Sequence, residues 1–112
     1  MQPLKGIRVI EFCSVAAGPF CAMLLADMGA DVIKVEHPEG GDSMRFWPPL
    51  SEGFSENFAS VNRNKRSVTL DLKDLTDNAR ARELAASADA IIENNRPGVM
   101  ARLGLDFATL SK

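Results

Sequence analysis

The turn after the first strand-like segment is where the sequence first suggests binding chemistry. Residues 13–19 read CSVAAGP and are almost all small. Small residues between a strand and a helix of an α/β fold let backbone N–H groups approach a ligand, and the helix N-terminus favours anions. A tight turn kept small for packing alone fits the same residues, so both interpretations stay open. A dinucleotide site would need the pattern G-x-G-x-x-G, and this turn contains only Gly18.

Polar side chains that suit an anion follow the fourth strand-like segment. Asn94, Asn95 and Arg96 come directly after it, and Arg102 lies one short helical pattern further along. Ligands of open parallel sheets bind outside the carboxyl ends of the strands, so Arg96 and Arg102 are the better candidates for anion ligands. The densest basic run, residues 62–66 (NRNKR), precedes a strand instead. It is expected to form a solvated face or to contact a partner segment.

No catalytic group stands out among the titratable residues. His37 is the single histidine and follows the second strand-like segment, where a solvated side chain is a more common outcome than a ligand. Glu36, just before it, suits a ribose hydroxyl, but the glycine fingerprint that normally accompanies such a residue is missing. The carboxylates form no spaced acid–base pair, and Cys13 and Cys21 match no zinc or redox spacing. We expect both cysteines to be buried small hydrophobes.

The elements that must position these residues are short strands alternating with helices. Four segments rich in valine and isoleucine predict buried strands, at residues 7–12, 31–36, 67–72 and 88–93. Helical patterns at residues 19–28 and 77–86 lie between the first two and the last two. Strand–helix–strand units of this length predict parallel pairing with right-handed crossovers. The fold class is thus α/β, a Rossmann-like parallel sheet built from β-α-β units.

Local signals predict the ends and faces of the helices. Pro19 suits a first helical position and Gly29 a left-handed C-terminal cap. Because the helix between them is apolar almost all round, it is expected to be buried rather than half-solvated. The second helix has three candidate N-caps, Asp74, Thr76 and Asp77. The residues expected to face inward on this helix are Ala79, Leu84 and Ala85.

Residues 37–62 interrupt this alternation with glycines, prolines and four aromatic side chains, which are Phe46, Trp47, Phe54 and Phe58. A simple linker would be polar, so the aromatics indicate a loop that packs on a partner. In the chain alone we expect exposed apolar surface there or along the sheet edge. Ser55 is expected to cap a short helix. Asp106 is expected to open a further helix, and we expect residues 1–112 to be a partial N-terminal lobe that stops inside it.

Composition excludes several function classes. The chain has 112 residues, 46% of them hydrophobic, with 13 basic and 15 acidic side chains and a formal net charge of −2. This balance argues against a dedicated nucleic-acid binder, and the apolar content argues against disorder. No apolar run approaches the ~20 residues of a membrane span, and the N-terminus lacks a secretory signal. We expect a cytoplasmic, globular chain with no membrane partner and no metal.

Six blocks, in order along the whole chain, carry a resemblance to a known family. They are residues 4–11 (LKGIRVIE), 17–36 (AGPFCAMLLADMGADVIKVE), 40–45 (GGDSMR), 62–68 (NRNKRSV), 70–73 (LDLK) and 93–100 (ENNRPGVM). The sequence resembles the class III CoA-transferase family, which includes formyl-CoA and carnitine CoA-transferases and α-methylacyl-CoA racemases. The resemblance implies a Rossmann-like N-terminal lobe that binds coenzyme A or its thioester as substrate, with no tightly bound cofactor. It also implies a larger protein that forms interlocked homodimers.

The resemblance implies roles for individual residues. It implies that the pantetheine and thioester end of coenzyme A is lined by Val15, Ala16 and Ala17. It implies that the adenosine side is bracketed by Leu70, Asp71, Leu72 and Lys73. The residues that it implies to follow the fourth strand into the same cleft are Asn94, Asn95 and Arg96, and it implies that Arg102 contacts a phosphate of coenzyme A. His37 stands where many family members have arginine, and a neutral imidazole is a weaker phosphate partner than a guanidinium.

The catalytic residue of the family is an aspartate that no residue of this chain matches. It attacks the acyl-CoA thioester, giving a mixed anhydride and then an aspartyl-CoA thioester, from which the acceptor acid collects CoA. The chain by itself is therefore expected to be inactive. Residues 40–42 and 62–67 favour a transferase, whereas residues 19–23 also resemble racemases, so a racemase fragment is an alternative. A non-catalytic CoA- or nucleotide-binding remnant is another, and an NAD-dependent enzyme is disfavoured by the missing glycines.

Overall fold

The structure of this chain is a computed structural model that describes residues 2–111. Met1 and Lys112 lie outside the described residues, so the expected last helix is described only as far as Ser111. The strands are β1 (Arg8–Phe12), β2 (Asp31–Glu36), β3 (Leu50–Ser51), β4 (Phe54–Ser55), β5 (Arg66–Thr69) and β6 (Ala90–Glu93). The helices are α1 (Ala17–Asp27), α2 (Glu56–Ser60), α3 (Leu75–Ala86), α4 (Val99–Arg102) and α5 (Phe107–Leu110), and a 3-10 turn covers Ser43–Phe46.

Four strands form one parallel sheet in the order β5-β2-β1-β6, and β3 and β4 form a separate antiparallel hairpin. The predicted α/β, Rossmann-like parallel sheet is therefore confirmed. In register, Val9 lies beside Val32 and Glu11 lies beside Lys34. The third predicted strand ends earlier than expected, at Thr69, because the chain turns where the Asp71 carboxylate accepts a hydrogen bond from the Lys73 N–H.

Alternation along the strands gives the sheet two packed faces. On one face, Val9 and Val32 pack against small residues of α1 and the turn after it, which are Ala22, Ala26 and Ala30. The other face carries a larger cluster, in which the buried members are Ile10, Phe12, Ile33, Val35, Leu70, Ala81, Met100 and Leu105. Each large apolar side chain buried in this way contributes about 1.5–3 kcal/mol to folding. The two clusters hold the strands in place on both faces of the sheet, and the loops that follow the strands begin from this packed core.

Helix α1 is buried on one side only. It begins at Ala17, so Pro19 occupies its third position, where the missing N–H has no intrahelical partner in any case. The opposite stripe, Phe20, Leu24 and Met28, is 50%, 44% and 40% exposed. The expectation of a fully buried helix is wrong for this stripe, since the sheet covers only one face. The expectation of a buried cysteine holds for Cys13 and is wrong for Cys21, which is exposed.

Helix α3 has the predicted cap but a different inner face. The Asp74 carboxylate accepts the Asp77 N–H. Ala81 and Ala85 are buried, whereas Ala79 is exposed, so its expected inward position is wrong. Ala81 lies two positions after Ala79, a rotation of about 200° around the helix axis, so the two side chains cannot both face the sheet.

The segment between β2 and β5 contains the 3-10 turn, β3, β4 and α2, and its surface is partly apolar. Ser55 accepts the Phe58 N–H and caps α2, as predicted. Phe46 and Phe54 are largely exposed, which confirms the expected apolar surface in this loop. Phe58 is half-buried under the guanidinium of Arg45, 4.1 Å from the ring centre. Within residues 2–111, no helix has the length and apolar character needed to cross a bilayer.

Candidate functional site

The candidate site lies at the edge of the sheet where all four parallel strands end. The segments that follow β1, β2, β5 and β6 contain the residues predicted to bind a ligand. A cavity of about 200 Å³ opens between these segments. Its walls include Cys13 and Ser14 after β1, His37 after β2, Leu72 after β5 and Asn95 after β6. The sheet thus brings four distant parts of the chain together at one place.

A second cavity, of about 210 Å³, adjoins the first on the β5 side. It is lined by all four residues implied for adenosine, Leu70, Asp71, Leu72 and Lys73, together with His37. His37 Nε2 lies 3.7 Å from Asp71 Oδ1, and His37 Nδ1 accepts the Glu39 N–H. The adenosine-side residues and His37 therefore do converge.

Other predicted residues lie outside the walls of these two cavities. Val15, Ala16 and Ala17 form the turn into α1, where no side chain of the described residues caps the helix. Arg96 and Arg102 are exposed, with the Arg102 guanidinium close to Gly98. The two arginines are thus exposed cations, and neither lines either cavity.

The two asparagines after β6 bind the protein's own backbone. The amide of Asn94 pairs with Ser14 twice: its Oδ1 accepts the Ser14 N–H at 3.1 Å, and its Nδ2 donates to the Ser14 carbonyl at 2.9 Å. Asn95 Nδ2 donates to the Phe12 carbonyl at 3.2 Å. Both side chains therefore join the end of β6 to the end of β1.

Gly18 permits the close approach of α1 to the strand ends. A Cβ atom at this position would lie 2.5 Å from Cys13 Sγ and 3.1 Å from Asn94 Cγ. Real Cβ atoms do not approach neighbours at 2.5 Å, so a side chain here would push the helix away from β1 and β6. The single glycine of the turn thus serves close packing between helix and strands.

A network of buried charges lies behind the turn, and it was not predicted. Glu11 and Lys34 are neighbours on β1 and β2, and Lys34 Nζ donates to Glu11 Oε2 at 2.9 Å. Lys34 Nζ also lies 3.1 Å from Asp42 Oδ2. On the other side, Lys65 Nζ lies 2.8 Å from Glu11 Oε1 and donates to the Pro19 carbonyl at 2.9 Å. Burial lowers the pKa of Lys65, and the neighbouring Glu11 carboxylate opposes that shift.

Glu36 belongs to the same buried region. Its carboxylate accepts two hydrogen bonds from Arg45, at 2.7 and 2.6 Å, one from the Asp42 N–H at 2.9 Å, and one from the Ser67 hydroxyl. Burial favours the neutral acid, but the bonds from Arg45, Asp42 and Ser67 outweigh it and lower the pKa of Glu36 to about 2. With both oxygens bound inside the protein, Glu36 does not face a ribose, and that interpretation is wrong for this structure.

The basic run 62–66 is not a uniformly solvated face, and its expected contact with a partner segment stays a prediction. The side chain of Lys65 is almost completely buried. Arg63 pairs with Asp27 of α1 at 2.7 Å, and Arg66 pairs with Asp31 of β2 at 2.7 Å. The run thus fastens the start of β5 to the neighbouring elements of the same chain.

The thiol of Cys13 is not an activated nucleophile. Burial and the nearby Glu11 carboxylate raise its pKa to about 12. Among residues 2–111, no group of three or more His, Cys, Asp or Glu side chains is arranged to hold a metal ion. The described part of the site thus consists of two small cavities lined by apolar and hydrogen-bonding groups, with exposed arginines in the segment after β6.

A parallel β5-β2-β1-β6 sheet with cavities at its carboxyl edge defines a Rossmann-like α/β binding domain. The sequence profile of CoA-transferase family III matches residues 4–112, and the chain belongs to that family. This confirms the resemblance on which the residue roles were based.

Relatives and solved structures agree with the family. The succinyl-CoA–L-malate CoA-transferase beta subunit of Chloroflexus aurantiacus is 50% identical over 111 residues, 98% of this chain and 27% of that protein. The succinyl-CoA:glutarate CoA-transferase of Mus musculus is 44% identical over 113 residues, 100% of this chain and 26% of that protein. The crystal structure of a CaiB/BaiF family protein from Brucella suis superposes with a TM-score of 0.92 at 42% identity, over 98% of this chain and 30% of that one. The chain thus spans about a quarter of the length of the curated relatives it matches.

Proposed function

We propose that this chain is the coenzyme A-binding N-terminal lobe of an acyl-CoA:carboxylic acid CoA-transferase. The observation that carries the proposal is the convergence of the segments after β1, β2, β5 and β6 on one edge of the sheet, around two adjoining cavities. Ligands of open parallel sheets bind at this edge. The names of the relatives add the chemistry of CoA transfer.

In this proposal the residues divide the coenzyme between them. The adenosine side occupies the cavity that holds His37, Asp71 and Leu72, whose apolar and polar walls suit a flat, hydrogen-bonding base. The phosphates lie toward Arg96 and Arg102, because guanidinium groups form strong, charge-assisted hydrogen bonds with phosphate oxygens. The pantetheine arm runs past the turn at residues 15–17 toward the reacting thioester.

The names of the relatives support a proposal for the substrate class. Several of them are named for succinyl-CoA with malate, glutarate or mesaconate, all of which are dicarboxylic acids. We propose succinyl-CoA as the donor and a dicarboxylate as the acceptor for the whole protein, which acts in the cytoplasm as a homodimer. The aspartate nucleophile and the contacts that select the acids are supplied by parts of the protein other than this chain.

Coenzyme A binding by the chain is testable by titration calorimetry. We expect wild type to bind CoA, and Arg102→Ala to raise the Kd about tenfold, the loss of roughly one charge-assisted phosphate contact. Arg80→Ala is the matched control, since Arg80 is an exposed arginine on α3, away from the strand ends. No detectable CoA binding by wild type would contradict the proposal and favour a structural remnant, and binding of NADH instead would favour an NAD enzyme.

The reaction class is testable on the whole protein. We expect exchange of CoA between succinate and a second dicarboxylate, and no such exchange by residues 1–112 alone. Exchange of the α-proton of a 2-methylacyl-CoA with solvent, without CoA exchange between acids, would instead identify a racemase. Transfer by the 112-residue chain above background would contradict the assignment of the nucleophile to another part of the protein.

A further inference from the structure

Three consecutive residues of the turn between β1 and α1 are held through their backbone by side chains from other elements. The Cys13 carbonyl accepts a hydrogen bond from Lys34 Nζ at 3.1 Å. The Ser14 N–H and carbonyl both bind the Asn94 amide. The Val15 N–H points between the two carboxylate oxygens of Asp42, at 3.1 and 3.2 Å. The conformation of the turn thus depends on groups outside it.

Val15 needs such support. Its φ is 68°, in the left-handed region that a β-branched residue rarely adopts. A residue persists in this region only where its surroundings fix it. Here the bond to Asp42 holds the Val15 N–H, and the flanking bonds to Asn94 and Lys34 hold the two preceding residues. Without them, Val15 is expected to relax to the extended conformation and to carry the turn with it.

Asp42 is itself rigidly held. It is buried, its own N–H donates to Glu36 Oε1 at 2.9 Å, and its Oδ1 accepts the Met44 N–H at 2.9 Å. Its Oδ2 lies 3.1 Å from Lys34 Nζ, the same amine that binds Cys13. The Lys34–Asp42 ion pair therefore contacts the turn at two points, the Cys13 carbonyl and the Val15 N–H.

We propose that Lys34 and Asp42 are positioning residues that keep the β1–α1 turn in its ligand-binding conformation. They act through the backbone of residues 13–15, which Lys34 contacts at the Cys13 carbonyl and Asp42 at the Val15 N–H. The inference rests on the proposed function, which places coenzyme A against this turn. When a binding-competent conformation is only partly populated, the apparent Kd rises in inverse proportion to its population. A turn that is competent about one tenth of the time would bind CoA about tenfold more weakly.

The experiment uses the chain with Asp42→Ala and Asp42→Asn, and two measurements on each. Calorimetry gives the Kd for CoA. Amide hydrogen exchange by NMR gives the rate at Val15 divided by the rate at Ile10, a buried strand residue that reports on global stability. We expect Asp42→Ala to raise the Kd about tenfold and the exchange ratio by more than tenfold. Asp42→Asn keeps one oxygen for the Val15 N–H but places an amide near Lys34, so intermediate values are expected for both.

Lys65→Met is the matched control. Lys65 belongs to the same buried network, yet its Nζ contacts Glu11, Pro19 and Asn62 and not residues 13–15. The Lys65→Met variant is expected to have a lower free energy of unfolding than wild type. Its exchange ratio and the CoA affinity of its folded form are expected to stay within about twofold of wild type.

The outcomes separate the inference from the proposed function. If wild type binds no CoA, the proposed function fails, and the exchange ratio still decides whether Asp42 holds the turn. If wild type binds CoA and Asp42→Ala binds it equally well, or leaves the Val15 ratio unchanged, the positioning role is wrong. Should Asp42→Ala not fold, Asp42→Asn decides, because it keeps an oxygen for the Val15 N–H but loses the charge that pairs with Lys34. A Kd and an exchange ratio equal to those of wild type would then contradict the positioning role.

Discussion

Replacing Lys34 by methionine tests whether the buried charges stabilise the fold as a unit. The side chain of Lys34 is only 2% exposed, and its amine serves three groups, which are Glu11, the Cys13 carbonyl and Asp42. Removing one partner of a buried ion pair costs about 3–5 kcal/mol, because the remaining charge stays buried without compensation. In the Lys34→Met variant, Glu11 still pairs with Lys65, and Asp42 still accepts two backbone N–H groups. We therefore expect a loss of stability at the lower end of that range. The expected loss is therefore about 3 kcal/mol.

Urea unfolding followed by circular dichroism measures this loss directly. For a domain of this size, about 3 kcal/mol corresponds to a fall in Tm of roughly 12 °C. Arg66→Met is the matched control, since Arg66 pairs with Asp31 on the same sheet but is largely exposed, and such pairs contribute about 0–1 kcal/mol.

A double variant, Lys34→Met with Asp42→Asn, removes one charge of each sign. It should lose less than the sum of the two single variants, with a coupling of at least about 1 kcal/mol. Two results would refute the reasoning. One is a Lys34→Met variant that loses no more stability than Arg66→Met, and the other is strict additivity in the double variant.

Two further predictions follow from the protonation and burial of individual side chains. Because the pKa of Glu36 falls to about 2 from an ordinary value of 4.5, its ionised form stabilises the fold fully above pH 4.5, and this contribution is lost as the pH falls toward 2. Urea titrations at several pH values should therefore show Arg45→Met less stable than wild type at neutral pH, with the gap narrowing below pH 4.5; a gap that widens in acid would contradict this. The cysteines should differ in reactivity, since Cys21 is exposed whereas burial raises the pKa of Cys13 to about 12. Mass spectrometry after brief iodoacetamide treatment should find one alkylated site in the native chain, at Cys21, and two in denaturant, and native labelling of Cys13 would disprove the assignment.

The main elements of the fold were predictable because they depend on local sequence signals. Runs such as VIEF and VIKVE carry the branched residues of buried strands, and Asp74 and Ser55 cap the helices they precede. The convergence of the loop residues followed from parallel pairing alone, since parallel strands end at the same edge. Helix α1 was less predictable, because an apolar sequence does not tell which of its stripes the rest of the chain will cover.

The buried charges were not predicted, although the sequence contains a signal for them. Glu11 and Lys34 occupy positions that alternate with Ile10, Phe12, Ile33 and Val35, all on buried strands. Period-2 alternation therefore places both charges on an inner face, where a charge requires a partner. Identifying the partner required the register of β1 on β2 and the path of the loop to Asp42, and both depend on contacts distant in sequence. The prediction that Lys65 belongs to a solvated face was wrong for the same reason, because its partner Glu11 lies on β1, far away in sequence.

The charges beneath the turn cancel one another. Glu11, Asp42 and Glu36 carry three negative charges, and Lys34, Lys65 and Arg45 carry three positive ones. The six formal charges therefore sum to zero, and the network adds no net charge behind the strand ends. Under the proposed function, attraction of an anionic ligand then depends on the exposed cations Arg96 and Arg102, whereas the buried groups hold the conformation of the turn. Substitutions of these two arginines are therefore expected to change ligand affinity more than the stability of the fold.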